Sequence, residues 1–106
     1  MIVVVGRVSS DAEKRGELID VAQAVARASR AEEGCIGYRF YEDTERPNEF
    51  VFVEEWVDQA ALERHFETEH IRVFMGAVGG ALVAPPEVKF HTIASSVDLA
   101  DVSAPR

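Results

Sequence analysis

The residues best suited to move a proton or hold a ring lie between Tyr38 and Phe74. Glu54-Glu55-Trp56 is followed closely by His65 and His70, so this short stretch contains the only tryptophan and two of the three histidines. If the run before it is a strand, Glu54 shares a face with Phe50, Phe52 and Trp56. A carboxyl group in such apolar company has its pKa raised by desolvation unless it is paired, and it can then serve as an acid or a base. The competing reading is a structural Glu bonded to an Arg or to backbone at the strand end. Trp56 supplies a large apolar surface and an N–H that needs a partner when buried; it suits core packing or a dimer contact as well as a substrate wall. His65 has the side-chain type whose unperturbed pKa, about 6.5, suits base work near neutrality, and it shares a helix side with Leu62. A capping or core histidine fits the same position.

His65 and His70 are separated by about 140° on one continuous helix, so they converge only if the helix breaks at Thr68. Zinc sites on helices favour four-residue spacing and require further ligands. No cysteine cluster or Asp-rich loop provides them, and no metal site is expected. Tyr38, Arg39, Tyr41 and His91 place polar tips on strands that could face a cavity; Tyr38 could orient a phenol. Cys35 reads as a small buried residue near a turn.

The elements that must position these groups follow from periodicity. Ile2 to Val8 is an apolar, β-branched strand. Ser10 with Glu13 matches a capping box, although Gly16 argues for a helix that begins near it. Leu18, Val21, Ala22, Val25, Ala28 and Ser29 then share a helix face, and Gly34 stops the helix. Cys35 to Glu42 is a second strand, with Ile36, Tyr38 and Phe40 on one face. A polar loop leads to a third strand, Phe50 to Val57, apolar on both faces. Asp58 is positioned to cap a second helix, which Thr68 breaks or restarts and Gly79-Gly80 ends. Val88 to Ala94 is a fourth strand. The order is β-α-β-β-α-β, the ferredoxin-like α+β pattern with an antiparallel sheet, over residues 1–95; residues 96–106 form a tail, loose or an arm on a partner. Two helices cover only one sheet face, yet Val51 and Val53 make the other face apolar as well. A second copy of the chain is the economical cover, so a homodimer is expected.

The 106 residues suit one domain. The net charge of −8 disfavours nucleic acid and anionic lipid as partners. A single cysteine fits a reducing compartment, no run approaches a membrane span, and the start lacks a signal peptide's basic region, so a cytoplasmic location is expected. Nucleotide-binding glycine loops and the serine hydrolase elbow are absent from the sequence.

The Glu-x-Trp pair ending a strand, the His65-x4-His70-x3-Phe74 run, and Glu33-Gly34-Cys35 opening the strand to Tyr41 resemble the antibiotic biosynthesis monooxygenase (ABM) domain. The resemblance spans roughly residues 1–95 and implies a dimeric α+β barrel. It implies a monooxygenase acting with O₂ on a small aromatic phenol or quinol, with no flavin, haem or metal. On that reading His65 is the base, Trp56 and Phe74 are pocket wall, and Tyr38 or His70 is the hydrogen-bonding partner, with Glu54 beside them. Quinol oxygenases, haem degraders and non-oxidative members share the fold. The haem-degrading branch uses an Asn, a Trp and a His, where this chain has Gly6, His65 and Met75, so haem degradation is not expected. A non-catalytic small-molecule-binding or stress-response dimer and a non-oxidative isomerase are the alternatives.

Overall fold

A computed structural model describes residues 1–102. The strands are β1 (Ile2–Ser9), β2 (Cys35–Glu42), β3 (Glu49–Trp56) and β4 (Glu87–Thr92); the helices are α1 (Arg15–Arg30), α2 (Gln59–Phe66) and α3 (Glu69–Val78). Short 3-10 turns lie at Ala12–Lys14, Gly79–Ala81 and Leu99–Asp101. The sheet has the order β2-β3-β1-β4 with every pairing antiparallel, a ferredoxin-like α+β fold.

The register builds the inner face of the sheet in rows. Tyr38, Glu54, Val4 and Phe90 lie side by side across the strands. The next row is Phe40, Phe52, Gly6 and Val88. All three helices lie over this face. Leu18, Ala22 and Val25 of α1, Leu62 of α2, and Ile71, Phe74 and Val78 of α3 complete the core with Val4, Phe50, Phe52 and Trp56. The outer face carries Val3, Val5, Val51 and Val53, all half-buried.

Three local features differ from the sequence reading: the start of β2, the first helix cap and the end of β4. A bulge between Cys35 and Gly37 leaves Ile36 unpaired and 54% exposed, so Ile36 does not share the face of Tyr38. Asp11, not Ser10, caps the first helical turn by accepting from the Glu13 N–H, while the Ser10 hydroxyl donates to the Asp11 carbonyl. The regular helix α1 begins at Arg15, one residue before Gly16, in agreement with the start that this glycine marks. β4 ends at Thr92, two residues short of Ala94. The break at Thr68 divides the expected second helix into α2 and α3. Thr68 Oγ1 donates to the His65 carbonyl at 2.7 Å and accepts from the Ile71 N–H at 3.3 Å, closing one helix and opening the next. The tail of 96–106 exposes Val97 and Leu99 to solvent; residues 103–106 lie outside the described residues.

Candidate functional site

Gly34 sets the site's geometry. It ends the turn after α1 with φ +88, in the left-handed region, and its carbonyl accepts from the Val57 N–H at 2.9 Å. A Cβ there would stand 2.6 Å from the Ala61 Cβ at the start of α2. Only glycine lets the α1–β2 turn approach α2 so closely. The Asp58 side chain caps α2 through the Ala61 N–H at 2.9 Å and turns the helix back over the sheet. His65, about two turns further on, therefore comes down between Trp56 and Tyr38, with ring centroids 4.6 and 5.7 Å away.

His65 is 1% exposed, and its two ring nitrogens face different partners. Nδ1 lies 2.6 Å from Glu32 Oε2. Nε2 lies 4.0 Å from Glu54 Oε1. His70, brought round by the helix break, places its Nε2 2.7 Å from the same Glu32 Oε2. The Trp56 indole N–H donates to Glu54 Oε1 at 3.0 Å, and the Tyr38 hydroxyl also approaches that carboxyl group.

Burial dominates the acid–base character of these groups. Desolvation pushes the Glu54 carboxyl up to about 7, against the pull of the Trp56 and Tyr38 donors. Desolvation lowers the His65 imidazole, against the support of Glu32. Tyr38 is raised far above the ordinary tyrosine range by burial and by Glu54, so it stays a neutral hydroxyl. Cys35 is raised to about 11, first by burial and then by Glu32 and Glu54, which leaves it a poor nucleophile.

A cavity of about 240 Å³ opens between the sheet and α2–α3. Tyr38, Glu54 and His65 are its ionisable lining; the other lining residues are apolar, including Val4, Phe52, Ile71 and Phe74. Gly6 forms part of the floor, where the missing side chain leaves room between Phe52 and Val88. Phe66, Met75 and Phe90, each about half exposed, mark the rim. An engineered cavity of about 150 Å³ accepts benzene, so this one suits a ligand of one or two rings.

The expected site residues divide on this geometry. His65, Tyr38, Glu54 and Phe74 line the cavity. Phe74 is 9% exposed and packs edge-on against Phe52, so it lies within the wall and not at the mouth. Trp56 is not in the wall: it is fully buried beneath Glu54 and reaches the cavity only through that carboxyl group. His70 is outside the cavity, behind His65 on Glu32. Arg39, Tyr41 and His91 belong to the outer sheet face, because each is an odd number of residues from the inward-facing members of its strand. Glu32 escaped the sequence reading. Its one signal was its place two residues before the glycine that ends the α1 turn.

Glu32, His65 and His70 are also the described residues that could offer a metal three ligand atoms, all within 4.8 Å of one another. Zinc–nitrogen bonds of about 2.0–2.1 Å in a tetrahedral site separate neighbouring ligand atoms by roughly 3.3 Å. The contacts of 2.6 and 2.7 Å are instead hydrogen-bond lengths, and the carboxyl oxygen would have to withdraw from both imidazoles to admit an ion.

The model for the family described as "Antibiotic biosynthesis monooxygenase" matches residues 1–77. A Bacillus subtilis protein named "Putative monooxygenase YcnE" is 39% identical over 88 residues, covering 83% of this chain and 93% of that protein. The Synechocystis protein sll1783, uncharacterized by name, is 39% identical over 98 residues, covering 92% of this chain and 67% of its own length. The solved structure of Rv0793 from Mycobacterium tuberculosis superposes with a TM-score of 0.85 at 26% identity, covering 92% of this chain and 98% of that one. With a matching family model over most of its length and relatives at this identity, the chain belongs to the antibiotic biosynthesis monooxygenase family.

Proposed function

We propose that the chain is a monooxygenase that oxidises a one- or two-ring phenol or quinol with O₂ and needs no flavin, haem or metal. The observation that supports this reading is the meeting of His65, Glu54 and Tyr38 on one wall of an otherwise apolar cavity. A substrate oxygen about 2.8 Å from both His65 Nε2 and Glu54 Oε1 closes a triangle on their 4.0 Å separation. His65 Nε2 takes the phenolic proton, and the electron-rich anion gives one electron to O₂. The resulting radical pair joins as a ring hydroperoxide. Loss of water from it leaves a hydroxyquinone, so one quinol and one O₂ give one hydroxyquinone and one water. Protonated Glu54 supplies the proton for the departing oxygen, and the apolar wall keeps bulk water from the charged intermediates.

The working unit in this reading is a homodimer joined through the outer sheet face. The solitary Cys35 suits a reducing compartment such as the cytoplasm. Among the described residues no helix is long and apolar enough to cross a membrane.

The test is oxygen uptake with benzo- and naphthohydroquinones, corrected for autoxidation, with ¹⁸O₂ as the label. We expect one labelled oxygen atom in the quinone and one in water. Uptake no faster than autoxidation across the panel removes the oxygenase reading. A second reading, a non-oxidative isomerase, draws on the same pairing of Glu54 and His65, since an acid and a base on one wall also serve proton transfer between carbons. It predicts solvent deuterium entering the ligand without oxygen uptake.

A further inference from the structure

We propose that Glu32 and His70 act as a positioning pair for His65, holding its imidazole with the Nδ1–H turned away from the cavity and the Nε2 lone pair turned toward it. The proposal deepens the reading of His65 as the base and rests on it. A neutral imidazole carries one N–H and one acceptor nitrogen, and a partner at one nitrogen decides which is which. Glu32 Oε2, 2.6 Å from Nδ1, calls for the N–H there. The acceptor nitrogen is then Nε2, the one that faces Glu54.

His70 fixes the carboxyl group that does this. Its Nε2 meets the same Glu32 oxygen at 2.7 Å, so one acceptor atom is shared by side chains from two helices. With its side chain 13% exposed, Glu32 cannot rotate away without leaving the His65 N–H buried and unpaired. Thr68 links the two helices at this point through the His65 carbonyl and the Ile71 N–H. Neither Glu32 nor His70 lines the cavity, so neither is placed to touch substrate. Their effects on His65 have opposite signs. The Glu32 carboxylate favours the imidazolium, while a proton on His70, whose side chain is 26% exposed, opposes it. The other ionisable groups of the site are Glu54, Tyr38 and Cys35; each is raised in part by the Glu32 charge, so Glu32→Gln relaxes them as well.

The test reads the ring and not turnover. Histidine ¹⁵N NMR on the substrate-free protein is recorded for the wild type, Glu32→Gln and His70→Gln. The wild type should show His65 as the Nδ1–H tautomer. Glu32→Gln should lower the His65 pKa by about 1–3 units, the range for removing a close opposite charge. His70→Gln should raise it. A structural role alone would not move the two variants in opposite directions. A wild-type proton on Nε2 overturns the proposal, as do shifts of one sign or no shifts. If Glu32→Gln fails to fold, the wild-type tautomer and the His70→Gln shift decide. Opposite shifts in a protein that shows no oxygen uptake leave the positioning pair standing and remove the oxygenase.

Discussion

Burial drives His65 and Glu54 in opposite directions: the imidazole becomes a weaker base and the carboxyl a weaker acid than in water, so the cavity favours the neutral form of each. This has a consequence for stability. Between the ordinary carboxyl range and about 7, the unfolded chain releases the Glu54 proton while the folded chain keeps it. Stability therefore falls as pH rises through that window, and the ionised group costs the fold on the order of 3 kcal/mol above it. Glu54→Gln should be more stable than the wild type at pH 8, with the advantage gone near pH 4; urea melts at the two pH values check this. The same pair predicts a narrow activity profile. Turnover should rise as His65 loses its proton, below pH 6.5, and fall near pH 7 as Glu54 ionises. His65→Gln should reduce turnover about 10²–10⁴-fold. His65→Ala would do so too, but it would also leave a void and strip Glu32 of a partner, so it should lower the melting temperature further. The Gln variant is therefore the cleaner probe. The raised pKa of Glu54 was legible from its place beside Phe52 and Trp56 on one strand face. Glu32 was not, because its partner lies 33 residues away and only the packed turn brings them together.

The two joints that assemble the site were both marked in the sequence, by Gly34 and by Thr68. What each does was less legible than where it lies. A glycine after a helix signals a left-handed stop; that it also admits Ala61 to within van der Waals range depends on how α2 returns over the sheet. Gly34→Ala should cost more than the roughly 1 kcal/mol of an ordinary helix-end change, since it combines a positive φ with an overlap against backbone-anchored atoms. It should also weaken the Glu32–His65 contact, visible as a shifted His65 resonance. Thr68→Ala should cost about 1 kcal/mol, the usual worth of an N-cap. Thr68→Ser, which keeps the hydroxyl, should recover most of it. The β2 bulge shows where strand periodicity misleads: alternation counted from Cys35 places Ile36 inward, and a single unpaired residue reverses that while leaving Tyr38 and Phe40 in place.

At the scale of the whole molecule the two sheet faces are unequal. The inner face is covered by three helices. On the outer face one row runs Arg39, Val53, Val5, Lys89 and the next runs Tyr41, Val51, Arg7, Glu87, so a valine centre is flanked by charged and aromatic side chains. That two-faced pattern was legible in β3 alone, where Phe50 and Phe52 are buried and Val51 and Val53 remain half-covered. If a second copy supplies the missing cover, light scattering should give about twice the 11.7 kDa chain mass, and the melting temperature should rise with protein concentration, because association stabilises the folded chain by mass action. Val53→Asp then separates the alternatives. In a dimer it buries an unpaired charge at the interface, which costs several kcal/mol, lowers the melting temperature and removes its concentration dependence. On a face that stays open to water, the same substitution is a surface change worth about 0.5 kcal/mol or less. A wild-type mass of one chain with a concentration-independent melt, and a Val53→Asp variant that melts beside it, would show that the valine face needs no partner and that the cavity works within a single chain.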